Sequence, residues 1–81
     1  MKIIKEQFDE FAHDQGYESG AELFSDLGFD REKYERYSKE VPIGGKVLAT
    51  LCREVGTAET MGFIRFAPGD QERYRTILEE F

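Results

Sequence analysis

Residues 19–39 read SGAELFSDLGFDREKYERYSK, and their order of capping, apolar and turn residues sets the reading of the whole chain. Ser19 and Glu22 stand at capping-box spacing, in which a hydroxyl and a carboxylate each satisfy an otherwise unpaired backbone amide. Leu23, Phe24 and Leu27 supply the buried side of a short helix. Gly28 ends it, because glycine adopts positive φ without the Cβ penalty. Asp30 offers a new N-cap for a following helix that carries Tyr34 and Tyr37 inward. The stretch is predicted to be helix, tight turn, helix.

Working outward, Ile4, Phe8, Phe11 and Ala12 share one helical stripe, which predicts a first helix over about residues 3–15, stopped by Gly16. Val41-Pro42 breaks the chain after the quoted stretch, since the residue before proline avoids helical angles. Val47, Leu48, Leu51, Cys52 and Val55 form the strongest apolar stripe, predicting a central core helix that ends at Gly56. Thr57 is expected to cap a shorter fifth segment with Met61, Ile64 and Phe66 available for burial, and residues 63–66 also fit an extended chain. After Ala67-Pro68-Gly69, Asp70 is expected to cap a last helix bearing Tyr74, Ile77, Leu78 and Phe81. No strand pair is needed. The expected fold is all-α: a compact bundle of five to six short helices.

Composition narrows the function. The chain has 81 residues, 17 acidic and 11 basic, for a net charge of −6. A domain of this size buries only about 60–65% of its unfolded-chain surface, so its seven Phe and four Tyr carry much of the core. The single cysteine, Cys52, cannot form an intrachain disulfide, and no Cys/His cluster offers a zinc site; the cytoplasm is the expected compartment. No apolar run reaches the roughly 18 residues of a membrane span, and the N-terminus lacks the order of a secretory signal. Neither export nor anchoring is expected.

Chemistry-bearing residues are sparse. His13 lies on the flank of an acidic helix with no nucleophile placed beside it. Cys52 falls on an apolar stripe, as core filler. Asp9, Glu10, Asp14, Glu18, Glu22 and Asp26 lack the order of a calcium loop and read as a solvated acidic face or a surface for a basic partner. Ile43-Gly44-Gly45-Lys46 departs from the phosphate-loop spacing, though Gly44, Gly45 and Lys46 open a helix where amides favour anions. Tyr17, Tyr34, Tyr37 and Tyr74 fit inward helix positions better than a stacking platform. Without a nucleophile, base and electrophile to assemble, no enzyme, metal or cofactor is expected.

Charge is distributed unevenly. Residues 1–30 sum to −6 (two basic, eight acidic), residues 31–53 to +3 (six basic, three acidic) and residues 54–81 to −3 (three basic, six acidic). The positive band holds Arg31, Lys33, Arg36, Lys39 and Lys46, the side chains suited to neutralising phosphate. Their alternation with Glu32, Glu35 and Glu40 equally fits a solvated helix face laced with i, i+3 and i, i+4 pairs.

The quoted stretch, with Gly28 in the turn, Phe29 as the apolar plug and Asp30 as the cap, resembles the helix-turn-helix of the lambda-repressor and Cro (XRE-type) regulators. Pro42 with Val47, Leu48 and Leu51 is similar to that family's post-recognition loop and fourth helix, and residues 56–66 to its closing helix. The resemblance implies a helix-turn-helix-like domain over residues 1–66, with residues 67–81 a helical extension that packs on it or dimerises. Three positions depart from the family. Phe24 stands where alanine is favoured, so local packing is expected to differ. Gly20 stands where a phosphate-touching glutamine is common. The front of the second helix is charged rather than amide- and hydroxyl-rich.

The resemblance implies a small DNA-binding transcriptional regulator without catalysis, its recognition helix over residues 30–39. Arg31, Lys33 and Arg36 would then be base or phosphate contacts, and Lys39 and Lys46 phosphate contacts. A homodimer is expected, with the exposed part of the Tyr74, Ile77, Leu78, Phe81 stripe as its surface. The alternative is an acidic protein-interaction module on the same scaffold, such as an anti-repressor, an antitoxin-like partner or a phage accessory protein, which binds a protein and not DNA.

Overall fold

The computed structural model describes residues 1–39 and 41–81. In chain order it runs β1 (Lys2–Ile3), α1 (Lys5–Asp14), α2 (Gly20–Asp26), α3 (Arg31–Lys39), α4 (Gly45–Val55), α5 (Thr57–Phe63), β2 (Ile64–Arg65), α6 (Asp70–Arg73) and α7 (Arg75–Glu80). It is a mostly helical bundle. α2 packs against both α1 and α3, and α4 packs against α5 and α7.

The deciding stretch folds as helix, turn, helix. Ser19 Oγ accepts the Glu22 amide at 3.2 Å, while the Glu22 carboxylate accepts the Glu18 amide at 3.0 Å, one residue earlier than an ideal capping box. Gly28 takes φ +98°. That lets the Phe29 amide close back onto the Phe24 carbonyl at 3.3 Å, the i→i−5 bond that satisfies a terminal carbonyl of α2. Asp30 Oδ1 then accepts the Glu32 amide at 3.0 Å and starts α3.

Aromatic rings fill the space where α1, α2, α3 and α5 converge. Phe8 meets Phe63 edge-on at 4.8 Å and Tyr34 at 5.4 Å. Phe24 is fully buried, stacked on Phe29 at 4.5 Å and tilted against Tyr34 at 5.6 Å. A ring thus fits between α2 and α3 because four others, Phe8, Phe29, Tyr34 and Tyr37, surround it. Val47, Leu48, Leu51 and Cys52 of α4 complete the core.

Four sequence expectations need correction. A strand pair exists: β1 and β2 run antiparallel, with Ile3 opposite Ile64 and Lys2 opposite Arg65. Ile3 therefore belongs to a strand, and helix one begins at Lys5. The two isoleucines are buried and the two cations exposed, the period-2 alternation of a strand confined to two residues on each side. Second, Ile64 leaves the fifth segment for the strand, and Met61 stays 39% exposed instead of entering the core. Third, Thr57 does not cap α5; Gly56 is at the cap position, and the Thr57 hydroxyl donates to the Phe81 carbonyl at 2.6 Å. Fourth, the last helix is broken at Tyr74 into α6 and α7, and Gly69, not Asp70, is its N-cap residue. Asp70 accepts instead from the Ala67 amide at 2.8 Å and pairs with the Met1 amine at 2.9 Å. Those two donors hold the Asp70 carboxyl below its ordinary range, the amine contributing most.

The C-terminal segment packs on the bundle. Tyr74, Ile77 and Leu78 lie half-buried against the core. A Cβ on Gly45 would sit 3.3 Å from Ile77 Cδ1, so α7 closes tightly over the opening of α4.

Candidate nucleic-acid interface

One buried knot fixes the orientation of α3. Tyr34, 1% exposed, sends its hydroxyl across to α1, where it donates to Asp9 Oδ1 at 2.8 Å. The same oxygen accepts the Gly20 amide at 2.8 Å, so one carboxylate joins α1, the start of α2 and α3. Burial, reinforced by the Asp9 carboxylate, pushes the Tyr34 phenol pKa well above its ordinary value. Gly20 is required here by close approach, since a Cβ would collide with both Asp9 Oδ1 and the Tyr34 ring and hydroxyl. Asp9, read from sequence as one of many solvated carboxylates, is a structural hub. Nothing in the local pattern distinguishes it from Glu10 or Asp14.

With Tyr34 and Tyr37 turned inward, the helical period puts Glu32, Arg36 and Lys39 on the opposite face of α3, with Arg31 and Lys33 on its two flanks. Arg31, Lys33, Arg36 and Lys39 are all exposed. Arg31, Lys33 and Arg36 form no ion pair among the described residues, whereas Lys39 reaches Glu35 Oε2 at 3.2 Å. Glu35 Oε1 meets Lys5 of α1 at 2.9 Å. This Lys5–Glu35–Lys39 chain raises the Lys5 pKa and lowers that of Glu35, chiefly through the hydrogen bond between them. Among the described residues, the carboxylate that pairs with an α3 cation is the helix's own Glu35, held by Lys39 and by Lys5 of α1. Glu40, read from sequence as a third alternating carboxylate, lies outside the described residues.

Lys46 is exposed in the first turn of α4, whose N-cap, Gly44, offers no side chain to the free amides. It lies beyond the post-α3 loop, and among the described residues no ion pair joins it to the α3 cations. α7 crowds this helix opening on the Gly45 side and leaves Lys46 and Gly44 open to solvent.

The sequence reading missed cations that the fold brings in from elsewhere. Lys2 Nζ donates to the Lys39 carbonyl at 3.2 Å, at the negative end of the α3 dipole. Lys2, Lys5 and Arg65 line a small recess with Ser38 of α3. Lys2 and Arg65 continue round into a cleft of about 830 Å³ that Arg73 also lines, walled by Ile43, Phe66 and Tyr74. Lys2 and Lys5 had counted only toward the acidic first third of the chain.

Elsewhere the molecule offers less. His13 is exposed and Cys52 buried. Tyr17 donates its hydroxyl to Asp26 at 2.5 Å, tying the α1–α2 loop to the end of α2. Among the described residues no three His, Cys, Asp or Glu side chains are grouped to hold a metal ion, and no helix is long and apolar enough to cross a membrane. Compared with known proteins, the chain matches no family model, no curated protein and no solved structure.

Proposed function

We propose that this protein is a small duplex-DNA-binding regulator that places α3 in the major groove and performs no catalysis. The observation that carries the reading is the outward face of α3. A helix anchored from behind by Tyr34 presents Arg31, Lys33 and Arg36 to solvent with no ion-pair partner among the described residues. The α2–α3 unit, with its Gly28 turn and Asp30 cap, supplies the rigid mount that groove reading requires. Lys39 shares the outward face with Arg36, and Lys46, exposed at the opening of α4, is assigned as a further phosphate contact. The net charge of −6 does not oppose this, because association responds to the local field and much of the acidic charge sits on α1 and α2.

Titration of a fluorescent random-sequence duplex across a range of salt tests the proposal. Full use of Arg31, Lys33, Arg36, Lys39 and Lys46 gives a slope of log K against log salt of about −4.5. The triple variant R31A/K33A/R36A is expected to fold normally and to lose about 2.7 of that slope. If the wild type fails to bind at low salt, the scaffold serves the acidic interaction role instead.

A further inference from the structure

The exposed pair of the β1–β2 ribbon is unusual in its chemistry. Lys2 and Arg65 are direct cross-strand partners, and like charges placed opposite one another in an antiparallel pair are destabilising. In a chain with six more carboxylates than cations, a neutralising acid at either position is easily supplied, yet neither Lys2 nor Arg65 has an ion-pair partner among the described residues. The ribbon also touches the segment that follows α3. Lys2 caps the Lys39 carbonyl, and the Ile43 amide donates to the Met1 carbonyl at 2.9 Å, which fastens the ribbon beside the post-α3 loop. Arg73 of α6 lines the same cleft as Lys2 and Arg65, and the one carboxylate there among the described residues, Asp70, is already paired with the Met1 amine.

We propose that this ribbon is a second phosphate-contact surface, on which the backbone of a bound duplex runs from the Lys39 end of α3 across Lys2 and Arg65 toward Arg73. The inference rests on the DNA-binding reading above and extends it to a part of the molecule that lies outside the helix-turn-helix. A duplex is the occupant argued for, because Lys2 and Arg65 line both the recess beside Ser38 of α3 and the cleft that Arg73 lines, so the cations lead away from the end of the helix proposed to enter the groove. Backbone contacts of this kind fix register and orientation and carry no sequence information.

The test compares four proteins on the same random-sequence duplex at about 50 and 200 mM salt: wild type, K2Q/R65Q, the charge-keeping K2R/R65K, and R53Q as a control on the exposed surface of α4. Removing two phosphate contacts makes the salt slope shallower by about 1.8, so the affinity ratio between the two salt concentrations shrinks about twelvefold. K2R/R65K and R53Q are expected to keep the wild-type slope. A melting midpoint of K2Q/R65Q close to that of wild type, relief of like-charge opposition offsetting the lost Lys2 bond to the Lys39 carbonyl, separates lost contact from lost fold. A wild-type slope in K2Q/R65Q, with R31A/K33A/R36A impaired, overturns the ribbon surface and leaves the α3 reading standing. Absence of binding by the wild type overturns both.

Discussion

Replacing Tyr34 with phenylalanine keeps the ring against Phe8 and Phe24 and deletes only the hydroxyl, so it isolates the knot that orients α3. What is lost is a 2.8 Å hydrogen bond to a carboxylate, in a site where Asp9 retains the Gly20 amide as its other donor. Hydrogen bonds to charged groups contribute about 1.5–3 kcal/mol, which in a domain of this size lowers the melting midpoint by on the order of 10 °C. The pH dependence supplies an independent signature. In the unfolded chain the phenol ionises near pH 10, while in the fold burial and Asp9 keep it protonated to higher pH. The folded state therefore binds the extra proton, and its contribution is fully present below pH 10 and lost as pH rises from there toward the folded pKa. Wild-type stability should fall by about 1.4 kcal/mol per pH unit more steeply than that of Y34F in this range. Urea titrations at neutral pH and at a series of alkaline values measure both effects. A Y34F protein that melts within about 2 °C of wild type and follows the same alkaline limb would refute the argument that this bond holds α3 in place.

Three further outcomes are expected. E35Q releases Lys5 and Lys39 and removes a negative charge beside α3, so duplex affinity should rise several-fold by anisotropy; because the folded Glu35 pKa is lowered, its stabilising contribution, present above the ordinary carboxylate range and lost as pH falls through the folded value, should vanish from the acid limb. Truncation after Gly69 strips Tyr74, Ile77 and Leu78 from α4 and should cost roughly 2–4 kcal/mol in urea unfolding, an unchanged midpoint counting against the packed extension. G20A forces a methyl group against Asp9 and Tyr34 and should destabilise by about 1–3 kcal/mol in thermal melts, whereas a helix start with room to spare would gain from alanine.

The parts of the fold legible in the sequence are those encoded by neighbours. Ser19, Gly28 and Asp30 act within a few residues of themselves, and the α4 stripe repeats for three turns, so α2, the turn, α3 and α4 could be read directly. The ribbon could not, because two residues per strand carry too little alternation to register and their pairing joins positions 3 and 64. For the same reason the candidate interface was half visible. Arg31, Lys33 and Arg36 lie together in the chain, but Lys2 and Arg65 meet only once the bundle closes. Asp9 shows the converse failure: its neighbours are solvated acids, and only the approach of Tyr34 and Gly20 gives it a structural task.

That closure orders events in time. β2 follows β1 only after α1 through α5, so during synthesis the α2–α3 unit can assemble while the residues of β1 still lack a mate. Joining them shuts a loop that spans most of the molecule, the slowest kind of contact to form. The clasp between residue 3 and residue 64 is thus a long-range contact, paid for by closing most of the chain into one loop. Any competence that depends on Lys2 and Arg65 standing side by side arrives only when that contact is made.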